Sequence, residues 1–289
     1  MSRISMIVPF YHGNQYISRI VEMAWQNDLF LKKHGHELEL IVVNDSPGCP
    51  VELVETPETL SLQVINQQEN GGIHQARVTG IQHSSGDFIL MLDQDDEIRN
   101  DFAIRQLNRI GTADVIVSNA LIESADGEQK PLYANRHAFD KAFNVDAYIM
   151  SHNQIASPGQ CLIRKSAIPR EWMECIMTKN GSDDLFLWIL MFCKNAEFVR
   201  NEDKIYIHKF TGKNLSASVQ RMSESSLSMV EYLQQIEYVP AKLVGRFAHV
   251  RGFDAKFDRC RSPMGKAVLY LCNPDIFLSR VFWKIKCIF

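Results

Sequence analysis

No GxGxxG segment, no CxxC pair, no low-complexity linker and no long apolar run occur in this chain. Each absence removes a class of protein. After the first apolar stretch, Tyr11-His12-Gly13-Asn14 offers a lone glycine, so the close backbone approach that a dinucleotide pyrophosphate needs is not provided for. The seven cysteines, Cys49, Cys161, Cys175, Cys193, Cys260, Cys272 and Cys287, are odd in number and scattered, which argues against a disulfide framework or a zinc ribbon and fits a reducing cytosol. A membrane span needs about 18 or more uninterrupted apolar residues. The nearest candidate, Ala267 to Phe289, is broken by Asn273-Pro274-Asp275, Arg280, Lys284 and Lys286. At the other end, Ile4 to Tyr11 is interrupted by Pro9 and too short for a signal peptide, so a cytoplasmic location is expected.

What is present is an ordinary globular composition with an uneven charge. At 289 residues the chain is long enough for one large domain or two modest ones. The net charge of −3 conceals ten Lys/Arg against three Asp in residues 240–289, formally +7, which leaves −10 on residues 1–239. Two parts so different in charge are expected to meet different partners.

Along the first part, apolar runs alternate with amphipathic stretches, the pattern of βα units in a mostly parallel sheet. Ser5–Pro9, Leu38–Asn44, Leu62–Asn66, Phe88–Leu92 and Asp114–Asn119 read as strands, and Asn14–Lys33, Gly72–His83 and Asp101–Arg109 as helices. Ligands of open α/β sheets collect beyond the carboxyl ends of the strands. Pro9-Phe10-Tyr11, Asn44-Asp45 and the run Leu92-Asp93-Gln94-Asp95-Asp96 all fall there. Farther on, Cys161-Leu162-Ile163 and Lys204–Phe210 read as strands, Asp183–Lys194 as an apolar helix, and the chain beyond Ser216 as helical and basic.

Three carboxylates within four residues at a strand end are tolerable only beside water, a cation or a cationic ligand. Hard oxygen donors favour Mg2+ or Mn2+, ions that keep waters and share a substrate's phosphates; the alternative is a solvated acidic turn. Asp45, after the second strand, is placed to accept hydrogen bonds from a ribose or a base. Asn70-Gly71-Gly72 opens a helix carrying Arg77, whose fixed charge suits phosphate or base contacts, although two glycines before a helix also make a simple turn. Ser182-Asp183-Asp184 reads either as an N-cap with a dipole complement or as a close carboxylate pair from which one member serves as general base.

Taken in order, these segments resemble the family 2 inverting glycosyltransferases of the GT-A fold. Ile7-Val8-Pro9-Phe10-Tyr11 is similar to the family's opening strand, Val43-Asn44-Asp45-Ser46 to its second-strand acid, and Asn70-Gly71-Gly72 through Ala76-Arg77 and Gly80 to its glycine-arginine segment. Leu92-Asp93-Gln94-Asp95-Asp96 resembles its DxD motif, Gly181-Ser182-Asp183-Asp184 its catalytic acid pair, and His208 with Asn214-Leu215-Ser216 its late histidine segment. The resemblance covers residues 3–216 and implies a GT-A catalytic domain over 1–216, a Rossmann-like, mostly parallel sheet flanked by helices, followed by a basic helical extension over 217–289.

By resemblance, Pro9 and Tyr11 line a base pocket, Asp45 and Arg77 contact base or ribose, and Asp93 faces the ribose or a metal-bound water. Asp95 binds Mn2+ or Mg2+ together with His208, and Asp184 is the base, with Asp183 its companion. The loop Ser157-Pro158-Gly159-Gln160 is expected near the donor sugar or the acceptor. Three positions depart from the family pattern: His12 and Val78 replace asparagines, and Asp183 replaces a glutamate. The implied activity is metal-dependent transfer of a sugar from a nucleotide-diphospho-sugar, a UDP-sugar, to a hydroxyl of a glycan or lipid-linked acceptor in polysaccharide assembly. The alternative is a non-catalytic sugar-nucleotide-binding or scaffolding subunit.

Lys266, Arg280, Lys284 and Lys286, interleaved with apolar residues that include Phe282 and Trp283, suit an interfacial helix on an anionic membrane surface, hence a peripheral place on the inner membrane face. Packing against the catalytic domain or a partner subunit is the competing reading. Nucleic acid is not an expected partner, because the rest of the chain is acidic and no reader module is present.

Overall fold

The computed structural model describes residues 1–53, 55–212, 214 and 218–286. In chain order its elements are β1 (Arg3–Phe10), α1 (Asn14–Lys32), β2 (Glu37–Asn44), β3 (Ser61–Asn66), α2 (Gly72–His83), β4 (Phe88–Met91), β5 (Glu97–Ile98), α3 (Phe102–Ile110), β6 (Val115–Glu123) and β7 (Gln129–Pro131). There follow α4 (Arg136–Asp140), α5 (Val145–Met150), β8 (Cys161–Arg164), α6 (Arg170–Glu174), α7 (Asp183–Cys193), β9 (Phe198–Lys209), α8 (Val219–Gln234), α9 (Ala241–Arg259), α10 (Pro263–Cys272) and α11 (Pro274–Lys286). They form two compact units interleaved in sequence. One comprises Met1–Leu132, Ile155–Thr178 and Ala196–Lys213, the other Tyr133–Gln154, Lys179–Asn195 and Asn214–Phe289. Residue 216, where the sequence suggests a boundary, lies outside the described residues, as does Leu215 of the late histidine segment.

The first unit is a mixed α/β layer structure whose strands run β3-β2-β1-β4-β8-β6-β9-β5, with β7 paired to β6. Its first half is parallel, as the alternating sequence pattern predicts: β1 pairs β2 and β4, and β2 pairs β3. Strands covered on both faces need continuous apolar runs, and β1 is buried from Ile4 through Phe10 while β4 is buried throughout. β8 then enters antiparallel between β4 and β6, and β9 returns parallel to β6. The core joins Ile4, Met6 and Val8 of β1 to Ile17, Ile20 and Ala24 of α1.

Parallel pairing in register brings the functional ends together. Phe10 lies opposite Asn44, Asn44 opposite Asn66, and Ile7 opposite Met91, so the loops after β1, β2, β3 and β4 leave from one edge. From β1 the chain steps outward to β2 and β3, then returns to β4 on the other side of β1. The crevice between β1 and β4 is therefore the switch point at which α/β sheets bind ligands.

The second unit is helical. α7 is apolar nearly all round, with Leu185 through Met191 buried, and Phe186 packs against Tyr232 of α8. Val244, Phe247 and Val250 bury the inner side of α9. Among the described residues no helix is long and apolar enough to cross a membrane.

In α2, Gly80 touches β1: a Cβ there would stand 2.3 Å from Ile7 Cγ2. Alanine in place of a helical glycine would ordinarily gain up to about 1 kcal/mol. Overpacking against a β-branched core side chain costs about 1–3 kcal/mol. Gly80→Ala is expected to lose about 1–2 kcal/mol in urea unfolding; a stabilised variant would show that α2 can lift from β1 freely.

Candidate functional site

At the crevice, the loop after β1 is held by the side chain between the two motif acids. Tyr11 N donates to Gln94 Oε1 at 2.9 Å, and Gln94 Nε2 donates back to the Tyr11 carbonyl at 3.1 Å. This two-way bond brings the amide so close that a Cβ at Gly13 would lie 2.4 Å from Gln94 Oε1, which explains the lone glycine. His12 takes a positive φ of 46° and donates its N–H to Ser46 Oγ at 2.8 Å. Tyr11 is left 49% exposed at the rim. Pro9 lies inside β1 opposite Val43, buried in the sheet.

Asp45 is 4% exposed and is engaged by the start of α2. Its oxygens accept from Gly71 N at 2.7 Å, Gly72 N at 2.9 Å and Gln67 Nε2 at 3.1 Å. Gly72 needs the left-handed backbone, with φ 82°. A carboxylate at a helix N-terminus meets the positive end of the dipole. Burial nevertheless outweighs the two glycine N–H groups and lifts the Asp45 pKa above the usual range.

The acidic run divides among three fates. Asp93 pairs with Arg77, whose guanidinium is 3% exposed and reaches Oδ1 at 2.6 Å, while Ser157 Oγ donates to Oδ2 at 2.9 Å. Asp96 is fully buried beneath β9: the Tyr206 hydroxyl donates to it, Lys209 N donates at 2.9 Å, and His208 Nδ1 lies 3.1 Å away. Asp95, partly exposed, has its pKa pushed up to about 6 by burial and then by the charges of Asp96 and Asp93. Burial opposes protonation of His208, yet its hydrogen bond to Asp96 and the nearby acids hold its pKa above the ordinary histidine value.

The donor set tests the idea of a divalent ion. Among the described residues no three His, Cys, Asp or Glu side chains gather into a cage that would hold a metal unaided. An ion that shares substrate phosphates needs fewer protein ligands, and a carboxylate on Nδ1 of a histidine is the usual arrangement for orienting Nε2 toward a metal. Asp95 with Nε2 of His208 fits that incomplete shell; Asp93 and Asp96 are committed to Arg77 and to β9.

Ser157 begins the loop that the sequence places near a donor or acceptor. A Cβ on Gly159 would stand 3.0–3.2 Å from Tyr206, Leu92 and the Met91 carbonyl, so this loop approaches the end of β4 closely. Gln160, fully buried, fixes it by donating to Ser118 O at 2.6 Å and accepting from Ala156 N at 3.0 Å.

Asp183 and Asp184 belong to the helical unit, at the start of α7. Gly181 precedes them with φ 119°, and a Cβ there would meet Met222 Sδ at 2.7 Å. Asp183 is 2% exposed, whereas Asp184 is partly exposed and accepts from Asn153 Nδ2 at 2.7 Å through Oδ2. Gln94, Tyr206 and Asn153 are contributors that motif reading missed. For Tyr206 a signal existed: it stands two residues before His208 on a strand, hence on the same face.

The comparisons agree with this architecture. The Glycosyl transferase family 2 model matches residues 5–172, and the chain belongs to that family. Glycosyltransferase GlyG of Streptococcus pneumoniae is 27% identical over 170 residues, 51% of this chain and 54% of the relative. The fold resembles Staphylococcus aureus TarS 1–349 in complex with UDP-GlcNAc, with TM-score 0.57, 18% identity, and 87% of this chain and 72% of that chain covered. It also resembles the mannosyltransferase PcManGT of Pyrobaculum calidifontis in complex with GDP-Man and Mn2+, with TM-score 0.54, 13% identity, and coverage of 99% and 84%. The chain spans about half the length, or less, of the curated relatives it matches.

The different fates of the acids are separable by stability. Asp96→Asn places an amide among donors in a fully buried site and is expected to cost about 2–4 kcal/mol. Asp95→Asn removes a charge crowded by two others and should stay within about 1 kcal/mol of the parent, or exceed it. Urea unfolding in chelator measures both; equal losses would put Asp95 in the structural set.

Proposed function

We propose that this chain transfers a sugar from a nucleotide-diphospho-sugar, a UDP-sugar, to a hydroxyl of a glycan or lipid-linked acceptor, with inversion at the anomeric carbon. The observation that carries the reading is the partition of Asp93, Asp95 and Asp96 at the β1–β4 crevice. Arg77 pairs with Asp93, donors of β9 hold Asp96, and Asp95, partly exposed and within the field of His208, has an elevated pKa. The nucleotide-sugar complexes of the two structural neighbours support the donor class, and the Mn2+ of one supports a divalent ion.

In this mechanism Tyr11 and the α2 start receive the nucleoside, with Asp45 organising the Gly71–Gly72 backbone and Arg77 fixing Asp93. Asp95 and His208 would hold Mn2+ or Mg2+, which when bound supplies Lewis-acid neutralisation of the leaving diphosphate. Asp184 removes the proton from the acceptor hydroxyl as its oxygen attacks the anomeric carbon opposite the leaving group. Partial exposure of Asp184 and the burial of Asp183 support Asp184 as the base, since a base must reach the hydroxyl it deprotonates. Residues 1–216 carry the transfer chemistry and 217–289 the extension, on the cytoplasmic side and peripheral to the inner membrane face.

Asp184→Asn is expected to retain UDP binding and lose about 10²-fold or more in turnover, the scale of a missing general base, with Asp183→Asn less affected. Single-turnover transfer and calorimetry separate the two effects; the reverse ranking would assign the base to Asp183. Mn2+ with UDP should raise the melting temperature of the parent, because a ligand bound only by the native state stabilises it. The same addition should leave Asp95→Asn nearly unmoved. An equal rise in both would remove Asp95 from the metal site.

A further inference from the structure

The last two helices turn their apolar residues outward. In α10, Met264, Ala267, Val268, Leu271 and Cys272 recur at helical spacing and are all exposed, Met264 and Leu271 to 78% each. No residue of this helix is buried. In α11, Leu278, Val281, Phe282 and Ile285 form the exposed side, whereas Ile276 and Trp283 are buried. A helix of a water-soluble protein ordinarily buries its apolar stripe.

The inner sides of the two helices meet the same residue of α9. Tyr270 packs on Phe253 at 5.2 Å, and the Arg280 guanidinium lies 5.2 Å above the same ring while pairing with Asp254. Their outer sides consequently face away from α9. Exposed apolar stripes on two successive helices mark an interaction surface.

Charge decides the occupant. Lys256, Arg259 and Arg261 are exposed just ahead of α10, Lys284 is exposed on α11, and residues 240–289 are formally +7. A second copy would oppose like charges across such a contact, whereas anionic headgroups complement the basic residues and acyl chains accept the apolar ones. Helices of 10 and 13 residues are too short to span a bilayer, which leaves the interfacial plane.

We propose that α10 and α11 lie in the headgroup layer of an anionic phospholipid bilayer, with Leu271, Leu278 and Phe282 seated among the acyl chains. The assignment rests on the peripheral reading above and specifies its contact surface. Trp283, which the sequence offers as an inserting residue, is instead 7% exposed and belongs to the inner side.

The test is co-sedimentation of the full chain with phosphatidylcholine vesicles, with and without phosphatidylglycerol, at low and high salt. The parent is expected to bind only the anionic vesicles. Leu278→Gln with Phe282→Gln should weaken binding about tenfold or more at both salt concentrations. Arg259→Gln with Arg261→Gln should weaken it mainly at low salt, where screening is least. All four side chains are exposed, so circular dichroism melts should match the parent and UDP binding should persist. A parent that fails to sediment overturns the peripheral reading itself. A parent that sediments as well as the Leu278/Phe282 variant overturns the contact surface alone. A lipid-free dimer that the same double substitution dissolves would give the surface to a second copy.

Discussion

Repulsion among Asp93, Asp95 and Asp96 is the constraint around which the sheet edge is arranged. Acids this close in sequence cannot all remain ionised beside apolar strand ends unless each has its own means of relief. Asp93 has a buried guanidinium, and Asp96 has the donors of β9. Those two solutions bring residues of both α2 and β9 to the acidic run after β4. The long parallel pairing of β6 with β9 and the glycines of α2 therefore serve the same few atoms.

Close approach is what the glycines of this region supply. Gly80 admits Ile7, Gly13 admits the Gln94 amide, and Gly159 admits Tyr206 and the carbonyl of Met91. The residue between the two motif acids is itself structural, because Gln94 joins the loop after β1 to the acidic run by a bond in each direction. The position of the Tyr11 rim is thereby tied to that of the acidic run.

The parallel half of the sheet was legible because fully buried strands must be written as unbroken apolar runs, as in Ile4–Phe10 and Phe88–Met91. The place of β8 was not. Cys161-Leu162-Ile163 reads as a strand, but its antiparallel insertion between β4 and β6 depends on partners far away in sequence. Motif acids could be located, whereas the partners of Asp93 and Asp96 could not, since Arg77 and Tyr206 reach them only through tertiary packing. In the extension, interleaved basic and apolar residues were visible. Which apolar residues face out was not, because periodicity reports that a stripe exists and not what covers it.

The kind of partner given to each acid also distinguishes its chemistry. Arg77, itself buried, fixes the orientation of Asp93 through an ion pair at 2.6 Å, which suits that acid to setting geometry. An amide donor orients a carboxylate without adding positive charge. Asp184 accepts from the neutral side chain of Asn153, which orients one of its oxygens. The same logic separates Asp184 from Asp183: successive positions on a helix point about 100° apart, and here the turn takes Asp183 into the interior and leaves Asp184 partly open. In the transfer proposed above, a proton acceptor has to meet an incoming hydroxyl, which the partly open position of Asp184 allows and the burial of Asp183 does not.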